Sequence, residues 1–165
     1  MQSEFTTERL TLHSLTLNEQ AFILALLNTP GWLKFIGDRK VRTLEDAANY
    51  INRINQNRTV KYWVVAIEKG QTPIGIITFI KRDYLTHHDI GFAFLPAFAK
   101  HGYAFEAASV IINYLSEEHL QDRLLATTLP GNMESIRLLI KLGFHLYSEI
   151  EVGKEKLLVY SLATV

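Results

Sequence analysis

The stretch "RLTLHSLT" alternates apolar Leu10, Leu12 and Leu15 with polar residues, Ser14 shifting the register, and this period near two predicts a first strand. Asn18 stands at a helix-cap position ahead of an apolar segment that runs to about Asn28, where "NTPGW" ends it. Thr43, with Asp46 three residues on in place of the usual Glu or Gln, forms a capping-box pattern and opens the polar helix "LEDAANYINRINQN". Two segments rich in β-branched and aromatic residues follow, "KYWVVAIEKG" and "TPIGIITFIKR", and "GQ" between them predicts a hairpin. Pro73 is tolerable so near a strand start. "HHDIGFAFLP" is a further strand, closed by Pro96.

From Gly102 the period lengthens. Ala104, Ala107, Ala108, Ile111 and Leu115 fall at i, i+3, i+4, i+7 and i+11, one apolar stripe on a helix. "RLLATTL" returns to strand. Asn132 then caps a short helix that carries Ile136, Leu139 and Ile140 with basic Arg137 and Lys141, and Gly143 stops it. "FHLYSEI" and "KLLVYSL" close the chain as strands. A meander followed by strand–helix–strand implies an α/β fold with a mixed sheet and helices on both faces.

The 165 residues suit one domain, 1–165, with no internal repeat or Pro/Gly-rich linker. Seventeen Lys and Arg balance seventeen Asp and Glu, without the basic excess of a nucleic-acid binder, so no nucleic-acid partner is expected. The N-terminus has no apolar core of signal-peptide length, and no later run is long enough to span a bilayer. A soluble, cytoplasmic protein is expected, with no membrane partner, as a monomer or homodimer. Cysteine is absent, which excludes disulfides, thiolate metal sites and a cysteine nucleophile. No H-E-x-x-H pattern is present, and no metal is expected.

Gly102 lies between a strand and a helix, in "AKHGYAFEAA". Glycine there is either punctuation or a way to bring backbone N–H groups onto an anion, because a helix N-terminus offers unpaired donors and the positive end of its dipole. Lys100 and His101 add charge or donors, and Ala104 keeps the first turn open. Neither nucleotide-binding glycine motif, G-x-x-x-x-G-K-[ST] or G-x-G-x-x-G, occurs.

"DIGFAFLPAFAKHGYAFEAA" and "TTLPGNMESIRLLIKLGF" together resemble the cofactor-binding segments of the GCN5-related N-acetyltransferases, and the resemblance extends over nearly the whole chain. "TERLTLHSLT" and "WLKFIGDRKVRTLEDAANYI" are similar to the branch that includes ribosomal-protein N-terminal acetyltransferases. The resemblance implies that family's single-domain fold, with a mixed, mostly antiparallel sheet of about six to seven strands. It also implies acetyl-CoA as co-substrate, its pyrophosphate on the Q/R-x-x-G-x-G/A segment, here Ala99, Lys100, His101, Gly102, Tyr103 and Ala104. Ala99 replaces the family's Gln or Arg, and without glycine at position 100 the loop is less free to take positive φ.

The resemblance further assigns the backbone of Phe92, Ala93, Phe94 and Leu95 to the pantetheine arm and the oxyanion, Asn132 to a hydrogen bond with that arm, and Ser135 to the role of acid near the sulfur; a serine that simply suits the first helical turn is the alternative for Ser135. Asp89 is the candidate base; a surface carboxylate at a strand start is the alternative. His87 and His88 have suitable pKa values but also fit a polar hairpin loop, with His87 on the same side as Asp89 and His88 opposite. Glu106 suits the helix dipole. Trp32, Phe35 and Tyr50, on the early helices, line an acceptor pocket or simply pack in the core. Asp38 and Arg39 read substrate charge or belong to a solvated loop.

The activity implied is transfer of acetyl from acetyl-CoA to a primary amine, on a peptide N-terminus or a small molecule, by direct attack in a ternary complex. The alternative is a catalytically silent acyl-CoA-binding or regulatory module of the same fold.

Overall fold

A computed structural model of the chain describes residues 1–118 and 120–164. Eight strands form among these residues: β1 (Glu4–Thr6), β2 (Thr11–Ser14), β3 (Val60–Ile67), β4 (Thr72–Ile80), β5 (Asp89–Phe94), β6 (Arg123–Thr128), β7 (His145–Val152) and β8 (Glu155–Ala163). They form one sheet in the order β1-β2-β3-β4-β5-β6-β8-β7. β5 and β6 run parallel, joined by the crossover helix α4 (Tyr103–Glu117); the other neighbours pair antiparallel. The remaining helices are α1 (Gln20–Leu27), α2 (Pro30–Phe35), α3 (Leu44–Gln56) and α5 (Met133–Lys141).

The sheet has one strand more than expected. β1 has three residues, too few to show a period, and it is fixed by tertiary contact: the Phe5 ring meets Trp63 edge-on at 6.2 Å and Tyr114 at 5.2 Å. "NTPGW" does not merely end α1. Thr29 accepts a hydrogen bond from the Trp32 N–H at 3.3 Å and Pro30 takes the first helical position, so α2 begins there and carries Trp32 and Phe35. Asn18 is not the first cap either. Thr16 and Glu19 form a capping box on a short 3-10 turn that leads into α1. The expected box at Thr43 and Asp46 is present, with N–H to side-chain bonds of 3.0 and 3.1 Å. The β3–β4 connection is longer than "GQ", a 3-10 turn over Glu68–Gly70.

Side chains of β3 alternate between two apolar layers. Trp63 and Val65 join Ala107, Ala108 and Ile111 of α4 on one face; Tyr62 and Val64 join Ile23, Leu26 and Ile51 beneath α1 and α3 on the other. β3 and β4 are therefore buried on both sides, which explains their near-continuous apolar runs.

β5 keeps full pairing with β4 from Asp89 to Phe94 but meets β6 at a single register pair, Asp89 with Leu125. The Leu125 N–H donates to the His88 carbonyl at 3.0 Å, and beyond that point the two strands part.

Gly75 of β4 lies opposite Phe94, and a Cβ there would fall 2.4 Å from the Phe94 ring. Gly75→Ala is expected to displace that ring and lower unfolding free energy by about 1–3 kcal/mol, as overpacking does. Urea denaturation measures this; an unchanged midpoint would show that the strand pair has slack the close approach denies.

Candidate active site

Where β5 and β6 part, a cavity of about 730 Å³ opens, within the usual range for small-molecule sites. Antiparallel pairing turns alternate residues of β5 toward β4. The Leu95 N–H is already bonded to the Ile74 carbonyl at 2.8 Å, so residues of that parity face β4, and the N–H and C=O of Phe92 and Phe94 face the gap. Of the four residues expected to offer backbone here, Phe92, Ala93 and Phe94 line the cavity and Leu95 does not.

One end of the cavity is the loop before α4. Gly102 caps that helix at φ +78°, and Lys100 also takes positive φ, +62°. For lysine this backbone costs about 1–2 kcal/mol, so the loop holds the bend that the missing glycine would have made easy. The N–H groups of Tyr103, Ala104 and Phe105 have no helical partner. Ala99, Lys100, Gly102, Tyr103 and Ala104 line the cavity; His101 does not, its ring stacking on Tyr103 at 5.6 Å instead. Arg137 and Lys141, one turn apart on α5, line the cavity as well, and the Lys141 ammonium lies 4.4 Å from the centre of the Phe105 ring, next to this loop.

A residue that the sequence did not single out fastens the loop. Arg9 donates through Nη1 to the His101 carbonyl at 2.8 Å and through Nε to Glu106 at 2.7 Å, and its guanidinium covers the Tyr103 ring. Glu106 also accepts from Thr7 Oγ1 at 2.6 Å and from the Arg9 N–H at 2.9 Å. Partial burial pushes the Glu106 carboxyl up, but these bonds hold it below its ordinary range. Glu106 thus ties the turn between β1 and β2 to α4, beyond any service to the helix dipole.

Asp89 lies where the strands separate. It is 3% exposed, no surface carboxylate, and its Oδ2 accepts from Arg82 Nε at 3.0 Å and from Thr127 Oγ1 of β6 at 3.2 Å. No bond to Oδ1 is found among the described residues. Burial raises its pKa to about 6, against the opposing pull of Arg82 and Thr127. His88 stacks on Phe79 at 4.4 Å on the face opposite Asp89, and His87 approaches Asp122 at 3.5 Å; neither lines the cavity. Across the gap, Asn132 caps α5 by accepting the Ser135 N–H at 3.3 Å, and both residues line the cavity.

Beyond Asp89 the cavity reaches the layer of early helices. Trp32 and Phe35 line it, but Tyr50 does not. Tyr50 is packed behind Tyr62, with the two hydroxyls 2.9 Å apart, and Tyr62 forms the wall. Arg39 and Arg82 line this end too. The site therefore joins a cation-lined helix N-terminus, a strip of unpaired strand backbone and a buried carboxylate beside a second chamber.

Residues 9–145 match the acetyltransferase (GNAT) domain family, and the chain belongs to that family of acetyl-transferring enzymes. It is 31% identical over 138 residues to the uncharacterized N-acetyltransferase YnaD of Bacillus subtilis (strain 168), covering 84% of this chain and 80% of that protein. The acetyltransferase (GNAT family) from Bacillus anthracis superposes with a TM-score of 0.81 at 25% identity over 98% of both chains. The ribosomal-protein-S5-alanine acetyltransferase from Vibrio fischeri shares the fold, with a TM-score of 0.82 at 17% identity over 99% of this chain and 97% of that one.

Because Asp89 titrates near 6 in the folded protein against an ordinary 3.8, the native state holds that proton more tightly than the unfolded chain. The stabilising contribution is complete below the ordinary value and is lost as pH rises through the folded one. Arg82 and Tyr84 are the charged and titratable groups coupled to it. The stability of the wild type relative to Asp89→Asn is expected to fall between about pH 4 and about pH 6–7. Denaturant unfolding across that range measures it; a flat difference would mean that the carboxyl titrates normally.

Proposed function

We propose that the protein moves the acetyl group of acetyl-CoA to a primary amine, on a peptide N-terminus or a small molecule, by direct attack while both substrates are bound. The observation that carries this reading is the gap at β5: unpaired backbone of Phe92 and Phe94 runs from the loop at Gly102 to the carboxylate of Asp89. The loop offers the N–H groups of α4 and the charges of Lys100, Arg137 and Lys141 to a pyrophosphate. The strip of β5 offers an edge on which a pantetheine arm pairs as a strand would.

Acetyl-CoA supplies an acyl carbon already activated as a thioester. A backbone N–H of β5 facing the gap stabilises the charge that grows on the acyl oxygen. The attacking amine must be neutral, and an α-amine with a pKa of about 7.7–8.0 is largely protonated at neutral pH. Asp89, with a pKa of about 6, is mostly ionised there and accepts the proton at Oδ1, directly or through water. As the new C–N bond forms the C–S bond breaks, and the sulfur takes a proton from the Ser135 hydroxyl, which regains one from solvent. Without cysteine the chain has no thiol to carry the acyl group, so a single transfer is the simpler course.

Incubation with acetyl-CoA and a panel of amines, followed by mass spectrometry, tests the activity. One or more amines are expected to gain a single acetyl group, and initial-rate plots are expected to intersect. CoA binding with no acetylated amine would leave a binding module of the same fold; parallel plots would mean an acyl-enzyme. For the base, kcat/KM is expected to fall below about pH 6. Asp89→Asn should then lose most activity between about pH 6 and pH 8, where Asp89 is ionised and the amine still protonated, and less in alkali, where the amine is already neutral; equal loss at every pH would reassign Asp89 to positioning.

A further inference from the structure

The acceptor end carries more positive charge than its own residues neutralise. Arg82 spends Nε on Asp89 Oδ2, and its two Nη groups have no hydrogen bond among the described residues. Arg39 has no ion pair among them, its guanidinium lying beside the neutral Tyr50 hydroxyl. Its neighbour Asp38 is already engaged, by the Arg42 guanidinium at 2.6 Å and by the Lys40 N–H at 2.8 Å. Both arginines act on the same point: each pulls down the pKa of the Tyr62 hydroxyl, although burial keeps that group well above its ordinary value. Trp32, only 4% exposed, lines the same end with its indole Nε1 buried. Asp89 and Glu134 are the acidic residues that line the cavity; the first is held by Arg82, and the second lies in the first turn of α5.

Two guanidinium groups, set against one engaged carboxylate, form a receptor for oxygen atoms bearing negative charge. Guanidinium offers carboxylate or phosphate a planar fork of donors. A second amine or a polyamine would meet the same arginines as repulsion. We infer that the acceptor is a primary amine that also carries an oxyanion, carboxylate or phosphate, held by Arg39 and the free fork of Arg82 while its amine faces Asp89. This rests on the amine-acetylating function proposed above and names the kind of amine.

Two matched pairs test it: phenylalanine against phenylalaninamide, and O-phosphoethanolamine against ethanolamine, with spermidine as the cationic control. Each is titrated calorimetrically into the CoA-bound protein and separately assayed for acetylation with acetyl-CoA. In at least one pair the oxyanion member is expected to bind about tenfold or more tightly than its neutral mate, the scale of one charge-assisted hydrogen bond. Which pair shows the larger ratio tells carboxylate from phosphate. Arg39→Gln, at an exposed position, should keep the melting temperature and cut that ratio about tenfold by raising KM rather than lowering kcat, and Arg39→Lys should restore part of it. Equal binding within both pairs, no binding by any member, preference for spermidine, or a ratio untouched by Arg39→Gln would overturn the inference. Selective binding without any acetylation would overturn the transferase reading and leave the oxyanion site standing. Acetylation of the amines without preference would do the reverse.

Discussion

Among the described residues, the pairing of Asp89 with Leu125 is the one point at which two half-sheets are joined in register, and nearly every feature of the site depends on it. Up to that pair β5 is an ordinary interior strand. Past it, β5 still follows β4 while β6 follows β8, and no backbone bond crosses between them. Backbone N–H and C=O groups that lose a sheet neighbour must find another partner or face water. The gap is therefore both a space and a row of unspent hydrogen bonds. It also explains why Asp89 is so perturbed: it sits at the closed end, walled by both strands, with Thr127 of one and Arg82 from the turn before the other as its polar neighbours.

The two ends of the cavity are held by different means. At the α4 end a chain segment from the N-terminus does the work. Thr7 and Arg9 bond Glu106 and the His101 carbonyl, so the β1–β2 turn braces a loop that includes a left-handed lysine. A conformation disfavoured by about 1–2 kcal/mol persists where charge-assisted bonds of this kind surround it. At the other end the wall is made of packed aromatics, and the polar groups among them are unevenly satisfied. Tyr50 and Tyr62 bond each other, whereas Trp32 Nε1 has no partner among the described residues.

Much of the architecture was legible in the sequence because it is local. The β-branched and aromatic runs of β3 and β4, the stripe beginning at Ala104, and the caps at Thr43 and Asn132 each rest on residues within a few positions of one another. β1 was not legible, since three residues held by Trp63 and Tyr114 carry no period of their own. Thr29-Pro30 was legible in principle, as a cap followed by proline at the first helical position, but the same residues also fit a helix stop. In the site, Gly102, Asp89, Asn132 and Ser135 stood at element boundaries, where sequence signals are strongest, and the fold brings all four to one cavity. Arg9 and Glu106 are 97 positions apart, and nothing in the pattern joins them. Tyr50 was the expected wall and Tyr62 was not singled out; only the stacking of α3 behind β3 decides which ring reaches the chamber.

A sheet left open along one seam has a thermodynamic consequence. A ligand that pairs with the free edge of β5 and spans both halves binds only the folded chain, so linkage adds RT ln(1 + [L]/Kd) to the stability of the fold. At a hundred times the dissociation constant that is about 2.7 kcal/mol, a large share of the roughly 5–15 kcal/mol that keeps a typical domain folded. The seam thus makes the population of folded molecules responsive to the supply of whatever fills it. Scarcity of that ligand would be felt as a rise in local opening around β5 and β6, where the two strands share a single register pair.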